Sequence, residues 1–274
     1  MHFDIESLKE LIIDSAELEI LPLYQQTEGS TKSDGSVITA ADIALQRRVS
    51  SSLARRYPDM PFLGEEMTQE DQQTLLNDSS EGFWCLDPLD GTANFVAGMP
   101  CFAVSLAYIQ QGQTKLGIIY DPIRQEYFSA RSGQGAWLND RPLQLNARAD
   151  QLADCVAMVD LKRLPPALAS HLATQPPYRS QRNIGSVALE WCWLAAGRVQ
   201  LYLHGGQRLW DYATGRLIFA EAGGIYGLTD GIERGTTYTQ DLRPKVARAA
   251  LNQELFDNWG EWIEKYYRHH GHHS

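Results

Sequence analysis

Apolar positions along the chain fall into two rhythms. Residues 4–24 place Ile5, Leu8, Leu11, Ile12 and Ala16 at helical spacing, with Pro22 near the end, which predicts an amphipathic helix. Asp34-Gly35 predicts a tight turn between two short strands. Thr39-Ala40-Ala41-Asp42 opens a second helix running to about Arg56, because an acid three residues after a threonine makes a capping box. Pro58 and Pro61 break it. Phe62-Leu63 reads as a strand edge before Gly64-Glu65-Glu66, and residues 68–76 as a surface helix. Residues 83–86, 103–109, 115–120 and 126–130 then read as strands, punctuated by Gly112, Asp121-Pro122, Gly133, Gly135 and Asn139-Asp140. This is an antiparallel meander, which disfavours a doubly wound parallel sheet.

The second half has a different texture. Four prolines and weak periodicity over residues 161–177 suggest a surface junction between two halves. Residues 186–196 form an apolar helix closed by Gly197, and residues 199–203 a strand. Gly205-Gly206 loops onward to Trp210-Asp211, where Asp211 is placed to cap a helix over residues 212–222. Strands over 225–228 and 245–249 and an amphipathic helix over 252–267 complete the chain. The expected organisation is one catalytic domain over residues 1–268, built of two intimate halves (about 1–145 and 150–268). A disordered, histidine-rich tail over 269–274 follows.

Composition narrows the class. The chain has 274 residues, 43% hydrophobic and 21% charged, values ordinary for a soluble globular protein with a sizeable core. Its net charge is -10, and no basic run exceeds two residues, so a nucleic-acid surface is not expected. Cys85, Cys101, Cys155 and Cys192 show no CxxC spacing and read as reduced, buried thiols. The N-terminus lacks a signal-like core, and the most apolar stretch is too short to span a bilayer. A cytoplasmic location without membrane association is therefore expected.

The candidate chemistry lies in Trp84-Cys85-Leu86-Asp87-Pro88-Leu89-Asp90-Gly91-Thr92-Ala93-Asn94-Phe95. A buried strand ends in Asp87, and Pro88 is expected to stop its ladder. Two carboxylates sit three residues apart, followed by Gly91 and Thr92 at a helix start. Carboxylates repel a phosphate, whereas amides at a helix start attract one. Divalent cations held by the carboxylates reconcile the two. Glu65, Asp42 and Asp211 also stand at element ends, where sites are commonly built. Each has a plainer local role, as loop acid or helix cap, and Lys32 as a solvated turn lysine. Oxygen donors without histidine favour Mg²⁺ or Mn²⁺ over Zn²⁺. An EF-hand is excluded, since the twelfth loop position is Gly98 or Cys101. A nucleophilic Asp is poorly supported by the i, i+3 spacing across a proline, and a P-loop is absent.

With these motifs the chain resembles the inositol monophosphatase family, within the superfamily that includes fructose-1,6-bisphosphatases and 3′-nucleotide phosphatases. The signatures are Gly64-Glu65-Glu66, Asp87 through Phe95, and Trp210-Asp211-Tyr212-Ala213-Thr214-Gly215. Residues 32–42, 117–122 and 220–224 support them, so the likeness covers nearly the whole chain.

The resemblance implies an α+β fold, a layered α/β/α/β/α sandwich with largely antiparallel sheets. It implies a phosphoric monoester hydrolase with two or three Mg²⁺ per subunit, Mn²⁺ being possible. Glu65, Asp87 and the Leu89 carbonyl would hold one ion, and Asp87, Asp90 and Asp211 a second. Gly91 and Thr92 would grip the phosphate, with Lys32 on the rim. Asp42, Thr92 and Glu65 form the implied catalytic set, which presents a metal-activated water for direct attack without a phosphoenzyme. Gly185, Ser186, Val187, His204 and Asp211 would face the substrate. His204 stands where the inositol enzymes carry a glutamate, and Val187 where they carry alanine, so the polyol contacts are altered. The expected partners are a small phosphorylated substrate and a second copy in a homodimer, with no nucleic acid and no membrane. Sensitivity to Li⁺ is also implied. Fructose-1,6-bisphosphate, histidinol phosphate and 3′-phosphoadenosine 5′-phosphate stay open as substrates, as does a non-catalytic, phosphate-ligand-binding regulatory role.

Overall fold

The computed structural model describes residues 3–26, 29–32, 37–78, 82–145, 151–232 and 241–268. The Asp34-Gly35 turn and the tail lie outside these residues. In chain order the elements are α1 (Ile5–Glu19), β1 (Ser30–Thr31), β2 (Val37–Ile38), α2 (Ala40–Arg56), β3 (Phe62–Gly64), α3 (Gln69–Asp78), β4 (Phe83–Asp90), α4 (Thr92–Val96), β5 (Ala103–Gln110), β6 (Gln113–Asp121), β7 (Glu126–Arg131), β8 (Ala136–Leu138) and β9 (Arg141–Leu143). There follow β10 (Val156–Asp160), α5 (Pro166–Thr174), β11 (Ser180–Arg182), α6 (Val187–Ala195), β12 (Leu201–Gln207), α7 (Leu209–Glu221), β13 (Ile225–Thr229), β14 (Lys245–Ala250) and α8 (Gln253–Arg268).

Two sheets carry the architecture. The first has the order β3-β4-β5-β6-β7-β8-β9, antiparallel throughout except for the parallel β3–β4 pair. The second has the order β11-β10-β12-β14-β13 and is mixed, with β10 parallel to both β11 and β12. Three apolar clusters fill the spaces between layers. Leu8, Ile12 and Ala16 of α1 and Leu45 and Val49 of α2 pack on Trp84, Leu86 and Leu106 of the first sheet. Leu189 and Trp191 of α6 and Leu217 and Phe219 of α7 lie between the sheets, against Phe128 on one side and Tyr202 on the other. Leu168 and Leu172 of α5 and Leu255 and Trp259 of α8 cover the outer face of the second sheet. The result is the layered α/β/α/β/α sandwich that the resemblance implies.

Local chemistry explains the helix starts. Asp4 accepts hydrogen bonds from the Glu6 and Ser7 N–H groups at the head of α1. The capping box of α2 forms, with Asp42 Oδ2 accepting from the Thr39 N–H at 2.7 Å. Gly215 lets α7 approach α6, since a methyl there would lie 2.4 Å from Trp191 Cβ.

Several local expectations change. β4 does not stop at Pro88 but continues to Asp90 through a register shift between Asp87 and Asp90. Residues 161–177 are no plain junction, because Pro165 and Pro166 sit at the start of α5, where a missing N–H costs nothing, and Leu168 and Leu172 pack inward. Gly205 and Gly206 lie within β12 rather than in a loop. Asp211 is the third residue of α7, not its cap. Cys85, Cys155 and Cys192 are buried, whereas Cys101 is only half-buried. No described helix is long and apolar enough to cross a membrane.

Candidate active site

In a regular strand, residues three apart face opposite sides of the sheet. Asp87 pairs with Ser105 and Asp90 with Ala103, so β4 uses three steps where β5 uses two. This bulge inserts one residue beside Pro88 and turns both carboxylates the same way. The Leu89 N–H, freed from the ladder, donates to Asp87 Oδ1 at 3.1 Å.

Asp211 arrives from the first turn of α7. There its Oδ2 accepts the Arg208 N–H at 2.8 Å. Ser105 holds that turn to the first sheet, with its hydroxyl on Thr214 Oγ1 at 3.0 Å. One oxygen each from Asp87, Asp90 and Asp211 then lies within 4.8 Å of the others. Glu65 flanks this trio, close enough for its charge to push the Asp87 carboxyl up. The Glu65 N–H donates to the Leu86 carbonyl at 3.1 Å, and Gln72 Nε2 donates to the Gly64 and Glu65 carbonyls. Lys32 is not free on the rim, since its Nζ lies 3.1 Å from Glu65 Oε1 and 2.6 Å from Glu66 Oε1.

Behind β4, Gly91 takes a left-handed conformation (φ +93°) and serves as N-cap of α4. A methyl on it would sit 2.8 Å from the Cys101 carbonyl oxygen, so glycine answers both conformation and space. The first turn leaves the Gly91 and Thr92 N–H groups without intrahelical acceptors. Thr92 Oγ1 approaches Asp42 Oδ1 and the Leu89 carbonyl, which joins α2 to the motif.

On the substrate side the segment before α6 is turned toward Asp90. The Val187 and Ala188 N–H groups donate to the Asp90 carboxylate at 3.2 and 2.8 Å, and the buried Ser186 hydroxyl donates to Oδ2. Gly185 is exposed and Val187 half-buried. Asn94 Nδ2 pins the segment through the Ile184 carbonyl at 2.7 Å. His204 is buried: its Nδ1 accepts the Gly206 N–H at 3.2 Å and its Nε2 lies 3.3 Å from Asp160 Oδ2. Both ring nitrogens are therefore engaged inside the protein.

Sequence reading missed several neighbours. Glu66 meets Lys32, Asp160 meets His204, and Glu190 lies fully inside, accepting from the Ile184 N–H and the Tyr202 hydroxyl at 3.2 Å each. An acid on the apolar run of α6 was the only available signal for Glu190.

Burial first, and mutual repulsion second, push the Asp87 and Asp211 carboxyls well above the ordinary range. Burial raises Asp90 to about 6 against the pull of its donors, and raises Asp42 as well. Burial likewise lifts Glu66 to about 7. These groups repel one another, and no cation among the described residues contacts the trio. An all-oxygen donor set short of positive charge fits hard divalent cations, so the residues present suit the metal that the motifs imply.

A sequence profile for the inositol monophosphatase family matches residues 8–259. The chain belongs to that family. It is 38% identical over 234 residues to Nus factor SuhB of Pasteurella multocida, covering 81% of this chain and 84% of the relative. It is 33% identical over 212 residues to inositol-1-monophosphatase of Mesorhizobium japonicum, covering 76% and 77%. The crystal structure of the extragenic suppressor protein suhB from Bartonella henselae superposes with a TM-score of 0.79 at 28% identity, covering 95% of this chain and 98% of that one. Membership carries a metal-dependent, phosphatase-type function and the α+β fold.

Proposed function

We propose that this protein is a Mg²⁺-dependent phosphomonoesterase of small phosphorylated polyols, with inositol monophosphates as reference substrates. The observation that carries the reading is the meeting of Asp87, Asp90 and Asp211 in one oxygen cluster with Glu65 beside it. In this reading Glu65, Asp87 and the Leu89 carbonyl hold one cation and Asp87, Asp90 and Asp211 another. Bound there, the cations would supply Lewis-acid polarisation of the phosphoryl group and charge balance at the leaving oxygen.

The chain's own groups do the remaining work. The Gly91 and Thr92 N–H groups hold the phosphate against the α4 start. Asp42 draws the Thr92 hydroxyl hydrogen, so that an Oγ1 lone pair orients the attacking water in line with the departing alkoxide. Asp90, tied to the α6 start, keeps the substrate side in register with the reacting phosphate. Lys32 steadies Glu65 and Glu66 rather than contacting the ester. Gly185, Val187 and Asp211 line the leaving-group side. A homodimer, inhibition by Li⁺ and a cytoplasmic location come with the resemblance.

The name of the Pasteurella relative, a Nus factor, favours a second reading in which the chain is a regulatory binding protein. Phosphate release from inositol 1-phosphate, fructose 1,6-bisphosphate, histidinol phosphate and 3′-phosphoadenosine 5′-phosphate separates the two. The phosphatase reading expects release with Mg²⁺ that chelator abolishes. No metal-dependent release from any of these esters would leave the regulatory reading in its place.

A further inference from the structure

The turn before α6, residues 184–186, meets the acidic trio and is held at three places. Asp90 accepts the Val187 and Ala188 N–H groups and the Ser186 hydroxyl. Asn94 Nδ2 of α4 donates to the Ile184 and Cys101 carbonyls at 2.7 Å each, so the short helix behind β4 also grips this turn. The third hold is Glu190, whose Oε1 accepts the Ile184 N–H at 3.2 Å. Gly185 lies between these anchors, exposed and in a left-handed conformation (φ +71°). A methyl on it would stand 3.2 Å from Asn94 Nδ2.

Glu190 is 2% exposed, on a helix whose other buried residues are apolar. A carboxyl in such surroundings is costly unless its oxygens are met by donors. Both are met, and the donors can be assigned in order. The Trp191 indole N–H only donates, so at 3.0 Å it fixes the oxygen of the Gln207 amide on its side. The Gln207 NH₂ group then points at the Tyr202 hydroxyl oxygen at 2.7 Å. This leaves the Tyr202 hydrogen for Glu190 Oε2 at 3.2 Å. Tyr202 and Gln207 are wholly buried. The hydrogen bonds therefore all run one way and end on Glu190. Gln207 closes β12, one residue before Arg208, whose N–H donates to Asp211 Oδ2. A buried string of polar groups thus joins the turn before α6 to the head of α7.

We propose that Glu190 is a positioning residue: through the Ile184 N–H it sets Gly185 and Ser186 against the leaving group of the substrate, while Tyr202 and Gln207 set Glu190. This rests on the phosphatase reading and deepens it, because the fit of the leaving group then depends on a side chain that never touches it. Asp90 and Asn94 hold the turn from the first sheet and α4. Glu190 holds it from α6 and the second sheet.

The test uses the full chain with Mg²⁺ and two esters: inositol 1-phosphate, whose ring is large enough to meet the turn, and methyl phosphate, whose methoxide is not. Glu190→Met replaces the carboxyl by an apolar chain of similar length. The ratio of kcat/KM for the inositol ester to that for methyl phosphate should fall by about tenfold in this variant. Glu190→Gln keeps an acceptor for the Ile184 N–H and should stay within about threefold of the unmutated ratio. Loss of folded protein or of metal lowers both esters together and leaves the ratio alone. An unchanged ratio in Glu190→Met, or equal falls in the two variants, overturns the assignment. In parallel, hydrogen exchange at single amides is followed by NMR in the Mg²⁺-loaded chain. Exchange at Ile184 should quicken by about tenfold in Glu190→Met and not in Glu190→Gln, while the Val187 and Ala188 amides, held by Asp90, keep their protection. Unchanged exchange at Ile184 overturns the positioning role. If neither ester is cleaved, the phosphatase reading fails, and the exchange result alone decides whether Glu190 sets the turn.

Discussion

Thr92 Oγ1 lies 2.8 Å from the Leu89 carbonyl oxygen and 3.1 Å from Asp42 Oδ1. A hydroxyl has one hydrogen, so only one of these contacts is a donation at any moment. The other Asp42 oxygen is held by the Thr39 N–H and hydroxyl at 2.7 and 2.6 Å, which anchors the carboxylate in the α2 cap. Thr92→Val removes the hydroxyl at nearly constant volume, and kcat should fall by about 100-fold while Thr92→Ser stays within about tenfold. Steady-state kinetics on both variants checks this. Equal losses would mean that the threonine methyl and its packing, not the hydroxyl, carry the effect.

Asp90 serves two ends at once: the acidic trio and the start of α6. Asp90→Asn removes a charge and keeps one oxygen acceptor, enough for the Ala188 N–H but not also for the Val187 N–H, which uses the other oxygen. Turnover at saturating Mg²⁺ should drop by at least about 100-fold, roughly 2.7 kcal/mol of barrier. Near-normal turnover in a folded variant would place the cation elsewhere.

Removal of metal should invert the effect of Asp211→Asn on stability. In chelator, three carboxylates share a space in which their oxygens lie within 4.8 Å, so deleting one charge should raise Tm. A relief of about 1 kcal/mol corresponds to roughly 2–4 °C in a chain of this size. With Mg²⁺ the same variant should lose most of the metal-induced rise in Tm. Scanning calorimetry in both conditions reads the sign; destabilisation in chelator would count against the repulsion argument.

Glu190 supplies a pH dependence from outside the metal ligands, although the nearby Asp90 charge adds to its shift. Burial lifts its carboxyl to about 8, against the pull of the Ile184 N–H and the Tyr202 hydroxyl. The folded chain thus holds this proton more tightly than the unfolded chain, whose glutamate titrates near 4.3. The associated stability is fully present below the unfolded value and is lost as pH rises toward 8. Tm of the chelated protein should fall between about pH 5 and 8, and Glu190→Gln should flatten that decline. An unchanged slope would assign the decline to the aspartates alone.

Gly215→Ala tests the central helical layer. The added methyl would meet the buried Trp191 at 2.4 Å from Cβ and 2.8 Å from Cγ. Overpacking of this kind should destabilise by about 1–3 kcal/mol, since backbone and a rigid indole must move. Urea unfolding at fixed Mg²⁺ measures it. A neutral result would show that α6 and α7 can slide apart cheaply.

The sequence was most informative where a local pattern carries its own physics. The capping box of Thr39 and Asp42 and the apolar stripe of α1 depend on neighbours within a few residues. The meander from β5 to β7 was legible because alternating apolar runs and turn residues repeat. β10 was missed because no turn signal set residues 156–160 apart. α5 was missed because paired prolines read as breakers, although at a first helical turn they are tolerated. The cap assigned to Asp211 failed for a similar reason, since which residue begins a helix depends on where the preceding strand ends.

The sequence by itself determined the inventory of acids, the glycine that starts α4 and the order of the motifs that mark the family. It determined these because residue type and short spacing are properties of the chain alone. The tertiary structure decided that Asp87 and Asp90 share a side through a bulge and that Asp211 joins them from 121 residues beyond Asp90. It also decided that Lys32 is occupied by Glu65 and Glu66, and that His204 withdraws behind Asp160. These outcomes follow from sheet register and layer packing, which depend on contacts between distant segments.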